Sequence, residues 1–323
     1  MSYVFPKAEL IATMQCREGA LLPCKLDWPI QKVCYWGGDP RDCRPVNAER
    51  WEDLWGVDWR KESPDPSMTP FPVGHPMAGS LENLDRYNWP DADDDRLFAD
   101  LAHLRPLCNQ MLIGVHPSLL YERAWLLTGL SQLPELMETN PAQVDELFAR
   151  ICEFERGIGR RYIELGVEAA WLADDYGTNR TQAFGPDLWR RFVKPHLQQI
   201  VQLYHEADRM VILHSYGNLG PLVDDFLEIG IDVLDPLQPN CNRLDHIRNK
   251  TKGRICLCGG VASSVLLADN TARTAADTRQ RIHQLGADGG YIVGPDDEWE
   301  YPTAASNAML EQVEYFRDLN ERG

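Results

Sequence analysis

Residues 210–218 read MVILHSYGN. Apolar residues run without interruption into His214, and a short polar turn containing Gly217 follows. So short a run, closed by polar residues and a glycine, predicts a strand of a buried parallel sheet that ends at a site. His214 is the first side chain the strand delivers to its open end. Working outward, the same pattern recurs in VEAAWLADD (167–175), IDVLDPLQPN (231–240), RICLCGGVAS (254–263) and GGYIVGPDDEW (289–299). Helix-length segments lie between these runs. GPDLWRRFVKPHLQQIVQLYHEA is expected to distort near Pro195, and LGPLVDDFLEIG is closed by Gly230. RLDHIRNKTKG, TAADTRQRIHQLGADG and the closing TAASNAMLEQVEYFRDLNERG complete the series.

Upstream the alternation is blurred but present. QMLIGVH (110–116) predicts a strand, and LLYERAWLLTG and SQLPELMETN predict helices. Residues 140–166 predict a long helix, with Asn140 as its cap, Pro141 in its first turn and Gly166 at its end. DDDRLFADLAHLRP predicts a helix with acids in its first turn, where the macrodipole favours them. The β/α units total about eight, which predicts an α/β fold of the (β/α)8 TIM-barrel type in a single domain spanning 1–323. The rival, an open doubly wound sheet for a dinucleotide, lacks GxGxxG at a strand-to-helix turn. No fixed-period repeat or low-complexity tract interrupts the pattern.

Residues 1–95 are less regular. A helix is expected within 1–20, carrying Leu10, Ile11 and Met14 on one face, and a short strand at Leu21–Leu26. WEDLWGVDWRKE (51–62) reads as a helix end, a turn and an extended segment. The proline-rich stretch 63–95 excludes long regular structure, yet its Met, Phe, Trp and Tyr residues predict an ordered loop lying on the body.

Lys and Arg number 32 against 49 Asp and Glu, a net charge of −17, which argues against nucleic acid or an anionic membrane as partner. No apolar run reaches membrane-spanning length or reads as a signal peptide. The nine cysteines are odd in number and scattered, without CxxC pairs. Reduced thiols and a cytoplasmic location are therefore expected. Cys256 and Cys258 alternate with Leu257 and read as packing inside the barrel.

In a parallel barrel the chemistry lies at the C-terminal ends of the strands. Those tips carry Asp174 and Asp175; His214, Tyr216 and Asn218; Gln238 and Asn240; the pair Ser263–Ser264; and Asp296, Asp297, Glu298 and Glu300. Tyr121, Glu122 and Arg123 follow an earlier strand; Glu122 and Arg123 read as a pair on a helix surface, and His75 and His116, beside prolines, as loop structure. One imidazole, several carboxylates and a phenol suit general acid–base chemistry, or a divalent ion held by His214 and carboxylates. A phosphate-binding glycine loop, a GxSxG elbow and an HExxH helix are absent.

Taken together, ELGVEAAWLADDYGTNRTQAFGPDLWRRFVKPHLQQI, VILHSYGNLGPLVDDFLEIGIDVLDPLQ, RICLCGGV and GGYIVGPDDEWEYPTAASN resemble the uroporphyrinogen decarboxylase superfamily. That superfamily includes the decarboxylase and corrinoid-dependent methyltransferases. The resemblance covers roughly 140–323 and implies a TIM barrel with its site in the mouth. Zinc-using methyltransferases of this kind carry His-x-Cys at the H-S-x-G turn and a further Cys near the last tip. Here the turn reads His214-Ser215-Tyr216 and the tip Gly294-Pro295-Asp296-Asp297, so both thiolates are missing. A harder site for Zn²⁺ or another divalent ion, from His214 with Asp296 or Asp297, is what remains. The arginine-rich N-terminal segment that holds tetrapyrrole carboxylates in the decarboxylase is also missing, replaced by QKVCYWGGDPR.

The expectation is thus a methyltransferase-type enzyme. It moves a methyl group from a small methylated substrate, such as a methyl ether, to a corrinoid on a separate protein. His214, Asp174, Asp175 and Asp296 are the expected catalytic residues. Tyr216, Asn218, Gln238, Tyr121, Trp36 and Asp297 are expected to contact substrate. The alternatives are a decarboxylase or lyase of a small acid or tetrapyrrole, and a non-catalytic binding barrel. Expected partners are the small-molecule substrate, the corrinoid protein and a second copy of the chain.

Overall fold

The structure, a computed structural model, describes residues 5–35, 44–47, 49–61, 70–82, 84–101, 107, 109–178 and 184–322. Its centre is a curled sheet of seven parallel strands. In chain order along the sheet these are β1 (Ile30–Cys34), β6 (Met111–His116), β7 (Ala169–Ala173), β8 (Met210–His214), β9 (Val233–Leu237), β10 (Cys256–Val261) and β11 (Tyr291–Pro295). The eighth place is held by a shorter piece than the strand expected at 21–26. Cys24 bridges Val293 in parallel; the Lys25 amide donates to the Val293 carbonyl at 2.7 Å, and the Val293 amide to that of Pro23 at 2.9 Å. Since the chain passes directly from there into β1, the two sheet edges are joined and the barrel closes.

The period-2 alternation of each strand sorts side chains into two cores. Met111, Ile113, Ala169, Trp171, Ile212 and Cys258 fill the barrel interior. The first helix, α1 (Lys7–Met14), adds Leu10 and Met14 to this interior cluster, with Phe5 beside them. Cys256 and Cys258 pack there as free thiols, as their spacing predicts. The outward residues, among them Leu112, Ala170, Leu172 and Leu213, meet the surrounding helices.

Those helices follow the expected order. α2 (Tyr121–Thr128), α3 (Gln132–Thr139) and α4 (Pro141–Glu164) lie between β6 and β7. The segment with Pro195 is two helices, α5 (Pro186–Phe192) and α6 (Lys194–Glu206), because a ring at 195 breaks the hydrogen-bond ladder just before it. α7 (Val223–Ile229) ends on the left-handed Gly230 as expected. α8 (Leu244–Thr251), α9 (Ser263–Leu266), α10 (Thr271–Leu285) and α11 (Thr303–Arg322) complete the ring.

Four local expectations are corrected. Asn140 does not cap α4 through its side chain; its Oδ1 accepts from the Thr139 hydroxyl instead. Asp95–Leu101 is a 3₁₀ helix rather than an α-helix. The described residues 51–61 contain no helix end. Instead β2 (Arg44–Asn47), β3 (Arg50–Glu52), β4 (Asp58–Arg60) and β5 (Phe71–Gly74) form a separate antiparallel sheet. His116 is not loop structure but the outward end of β6. There, fully buried, its Nδ1 meets Glu155 at 2.7 Å and its Nε2 the Tyr204 hydroxyl at 2.6 Å. The described part of 63–95 does lie on the body, with Met77, Leu81 and Leu84 buried in the outer core.

The turn that follows His214 shows why it needs its glycine. Gly217 has φ +87° and lies back to back with Gly177 in the turn after β7, so a Cβ on it would overlap the Gly177 backbone. Gly217→Ala combines a left-handed backbone with that overlap and is expected to destabilise the chain by about 2–3 kcal/mol. A urea titration of the variant with the slope m unchanged is the check.

Candidate active site

Strand register assembles the mouth. Ala173 pairs with His214, and His214 with Asp235, so the inward-facing ends of β7, β8 and β9 stand in one row. The His214 Nδ1 lies 2.8 Å from Asp235 Oδ2. Asp235 is wholly buried, and its oxygens also accept from the Lys25 ammonium at 2.9 and 3.2 Å. Burial alone would raise the Asp235 carboxyl, but Lys25 and His214 outweigh it and hold the group well below the usual range. Burial likewise works against the charge of Lys25, and Asp235 more than restores it, raising the ammonium above its ordinary value. Asp235 is therefore an acceptor only, which puts a proton on His214 Nδ1. Nε2 then has a lone pair in the neutral ring, or a second N–H in the charged one, and has no partner recorded among the described residues. The ring is fixed by Trp171, 5.5 Å away at 30°, and by Tyr216, 4.8 Å away at 80°.

Lys25 reaches the site across β11. A Cβ on Gly294 would lie 2.7 Å from the Lys25 Cβ, so the glycine makes room for the lysine stem. Lys32, the inward residue of β1, places its ammonium 3.5 Å from the centroid of the Trp171 ring. Glu298 Oε1 lies 3.5 Å from Lys25 and 3.6 Å from Lys32. On the other wall, Asp175 accepts from the Tyr216 amide at 2.8 Å. Burial raises the Asp175 carboxyl. Burial, and then the neighbouring Asp175 charge, pushes Glu122 well above its ordinary value. Burial and a hydrogen bond to Asp297 raise the Tyr216 hydroxyl.

Several expected site residues prove to be occupied elsewhere. Asp174 faces away from the mouth: its carboxylate accepts from the amides of Leu120, Tyr121 and Glu122 at 3.0, 2.8 and 2.7 Å, closing the N-terminus of α2. Burial pushes its carboxyl up to about 7 even so. Asp296 accepts from the Ser263 amide at 2.6 Å and from the Ser263 hydroxyl, at the start of α9. The structure groups His214 with Asp235 and Glu298, not with Asp296. Gln238 Oε1 accepts from the Gly217 amide at 2.8 Å, and Asn218 Oδ1 from the Gly220 amide at 3.1 Å, so both brace the turn. Tyr121 is buried against Phe184, ring to ring at 4.1 Å. Trp36 lies outside the described residues. Glu122 and Arg123 do not pair on a surface, since Arg123 is buried 3.4 Å from Asp53.

Lys25, Lys32 and Asp235 were not among the expected site residues. Each leaves a trace in the sequence: a charged residue set among apolar neighbours, as in PCKL, IQKVC and VLDPL. Such charges are retained when they are paired or functional.

One ligand atom each from His214, Asp235 and Glu298 lies within 4.8 Å of the others, near enough to hold a divalent ion. The lysines oppose it. Two ammonium groups already neutralise the two carboxylates, and a dication about 4 Å from Lys25 would be repelled by roughly 8 kcal/mol at an effective dielectric near 20. No thiolate compensates, because burial and Asp235 hold the neighbouring Cys258 thiol far above its ordinary value. A zinc ion of the thiolate-bound kind does not fit these residues as they stand.

No described helix is long and apolar enough to cross a membrane. Over 97% of this chain and 99% of the other, the fold matches a methyltransferase from Methanosarcina mazei with a TM-score of 0.72 and 15% identity. A protein described as a vitamin-B12-independent methionine synthase, from Listeria monocytogenes, matches at 12% identity with a TM-score of 0.40, covering 66% of this chain and 64% of that one. No curated protein matches the sequence. A profile of the uroporphyrinogen decarboxylase (URO-D) family matches residues 122–314, well over half of the chain. With its barrel closed and its polar tips at one mouth, the chain belongs to the uroporphyrinogen decarboxylase family.

Proposed function

We propose that this chain is a methyltransferase-type enzyme that takes a methyl group from a small methylated substrate, a methyl ether being the simplest case. The acceptor is a corrinoid carried by a separate protein, which supplies the nucleophile when it docks at the mouth. The observation that carries this reading is the His214–Asp235 couple, with Nε2 left to the mouth. Breaking a C–O bond needs a proton on the departing oxygen, because an alkoxide is a poor leaving group. His214 in its charged form donates that proton from Nε2, and Asp235 stabilises the imidazolium through Nδ1. Glu122, whose carboxyl burial and the Asp175 charge raise well above its ordinary value, is the group on the opposite wall that can recharge the imidazole. The Tyr216 hydroxyl, held by Asp297, orients the substrate oxygen. None of these steps uses a metal.

One observation favours a second reading, decarboxylation of a small acid: two lysines stand beside His214. The assay that separates the two is methyl transfer to cob(I)alamin from a panel of ethers and amines, followed by the change in its visible spectrum, with and without EDTA. Transfer that EDTA leaves unchanged within about twofold is expected. Inactivity with every donor, together with CO₂ release from small acids, would establish the second reading. Loss of transfer on chelation would restore the metal.

A further inference from the structure

We propose that Lys25 and Lys32 form a carboxylate-binding subsite in the barrel mouth, that Glu298 is its resting occupant, and that the carboxylate of a small substrate displaces Glu298. The inference deepens the functional reading and rests on its placement of the active site in this mouth, not on methyl transfer itself.

Two layers of ion pairing differ in kind. The inner pair is tight and enclosed: Lys25 to Asp235 at 2.9 Å, with the side chains 9% and 0% exposed. The outer arrangement is loose and open. A single oxygen of Glu298 lies 3.5 Å from Lys25 and 3.6 Å from Lys32, beyond the roughly 2.7–2.9 Å of a charge-assisted hydrogen bond. The Glu298 side chain is 50% exposed, so little holds it in place. Lys32 is positioned without it, by the face of Trp171 at 3.5 Å, and the same ring lies 5.5 Å from Lys25. An aromatic face attracts a cation by its quadrupole and keeps the ammonium in the mouth when its counter-ion leaves.

The charges then select the ligand. With Glu298 in place, two ammonium groups face two carboxylates. With Glu298 swung into solvent and the His214 ring neutral, one positive charge is left over, which one monoanion neutralises. The group removed is a carboxylate, so another carboxylate fits the same two donors. A dianion such as phosphate leaves an unbalanced negative charge beside Asp235. The surrounding rim, with Asp175 and Asp297, and the net charge of −17 work against anions at long range. Recognition is therefore short-ranged, and the subsite accepts one carboxylate on an otherwise uncharged molecule.

The test is calorimetric titration of the full chain with sodium benzoate and sodium acetate, and with benzamide and acetamide as neutral counterparts. The carboxylates are expected to bind about tenfold or more tighter than the amides. Glu298→Gln removes the internal competitor and is expected to tighten benzoate about tenfold, while Lys32→Met weakens it about tenfold. Both side chains are partly exposed, so both variants should fold, and their melting temperatures are recorded alongside. Equal binding of benzoate and benzamide, weaker or unchanged benzoate binding in Glu298→Gln, or absence of binding in both proteins overturns the subsite. Carboxylate binding in a protein that transfers no methyl group sinks the methyl-transfer reading alone. Methyl transfer in a protein that ignores carboxylates sinks the subsite alone.

Discussion

His214→Ala is expected to lower turnover by about 10²- to 10⁴-fold while the barrel stays folded, the range typical of a lost general acid. The geometry gives both halves of that result. Nε2 is the ring atom without a recorded partner among the described residues, and Nδ1 is committed to Asp235 at 2.8 Å. Truncation removes the proton donor, yet Asp235 keeps Lys25 at 2.9 and 3.2 Å, so no buried charge is stranded. The measurement is kcat and KM for the best methyl donor, with the pH profile of kcat beside them. A histidine that only shaped the mouth would raise KM and leave the profile alone. A histidine that donates the proton lowers kcat and removes the alkaline limb, because the charged ring is the active form. Full activity in the variant would take His214 out of the mechanism and leave Glu122 as the donor.

The parts of this site that were legible in the sequence, and the parts that were not, separate along one physical line. Strand ends are visible as the point where an apolar run stops, so β7, β8 and β11 and the tips at 174–176, 214–218 and 296–298 could be read directly. Which residue of a tip faces the mouth is a matter of parity. Consecutive strand residues point to opposite sides. Of the two acids after β7, Asp175 turns to His214 and Tyr216, while Asp174 meets the amides of α2. Of the two after β11, Asp297 faces Tyr216 and Asp296 closes α9. Lys25 and Lys32 were hidden for a different reason. They lie in the weakly patterned first third of the chain, where the closing segment is a single bridge. Only the closure of the barrel, with residues 25 and 235 brought to 2.9 Å, makes them part of the mouth. The antiparallel sheet was missed because β3 and β4 are only three residues each and rich in charge, too short for an alternation to register.

Asp235→Ala should be the most destabilising substitution in the mouth, by about 3–5 kcal/mol, because it leaves Lys25 as an enclosed ammonium with no tight partner. Lys25→Met/Asp235→Leu removes both charges and should recover most of that loss, since a buried pair contributes little beyond its own desolvation. Chemical denaturation of the wild type and the two variants measures this. The pH dependence has a definite sign. Asp235 has a folded value below its unfolded one, so its contribution is complete above about pH 4 and is lost as the pH falls toward the folded value. Lys25 has a folded value above its unfolded one, so its contribution is complete below about pH 10 and is lost as the pH rises through the folded value. In a His214→Ala background, where no imidazole shares Asp235, the gap between the parent and Asp235→Ala should be flat between those limits, and below about pH 4 it should narrow. Asp174 titrates inside the flat window, near 7, with the opposite sign: its raised carboxyl favours the folded chain at the acid end. It is present in both proteins and cancels in the difference. A gap that narrows between pH 5 and 8 instead would mean that Asp235 takes up a proton near neutrality. His214 would then lack its ionised partner, and the proton donor would have to be sought at Glu122.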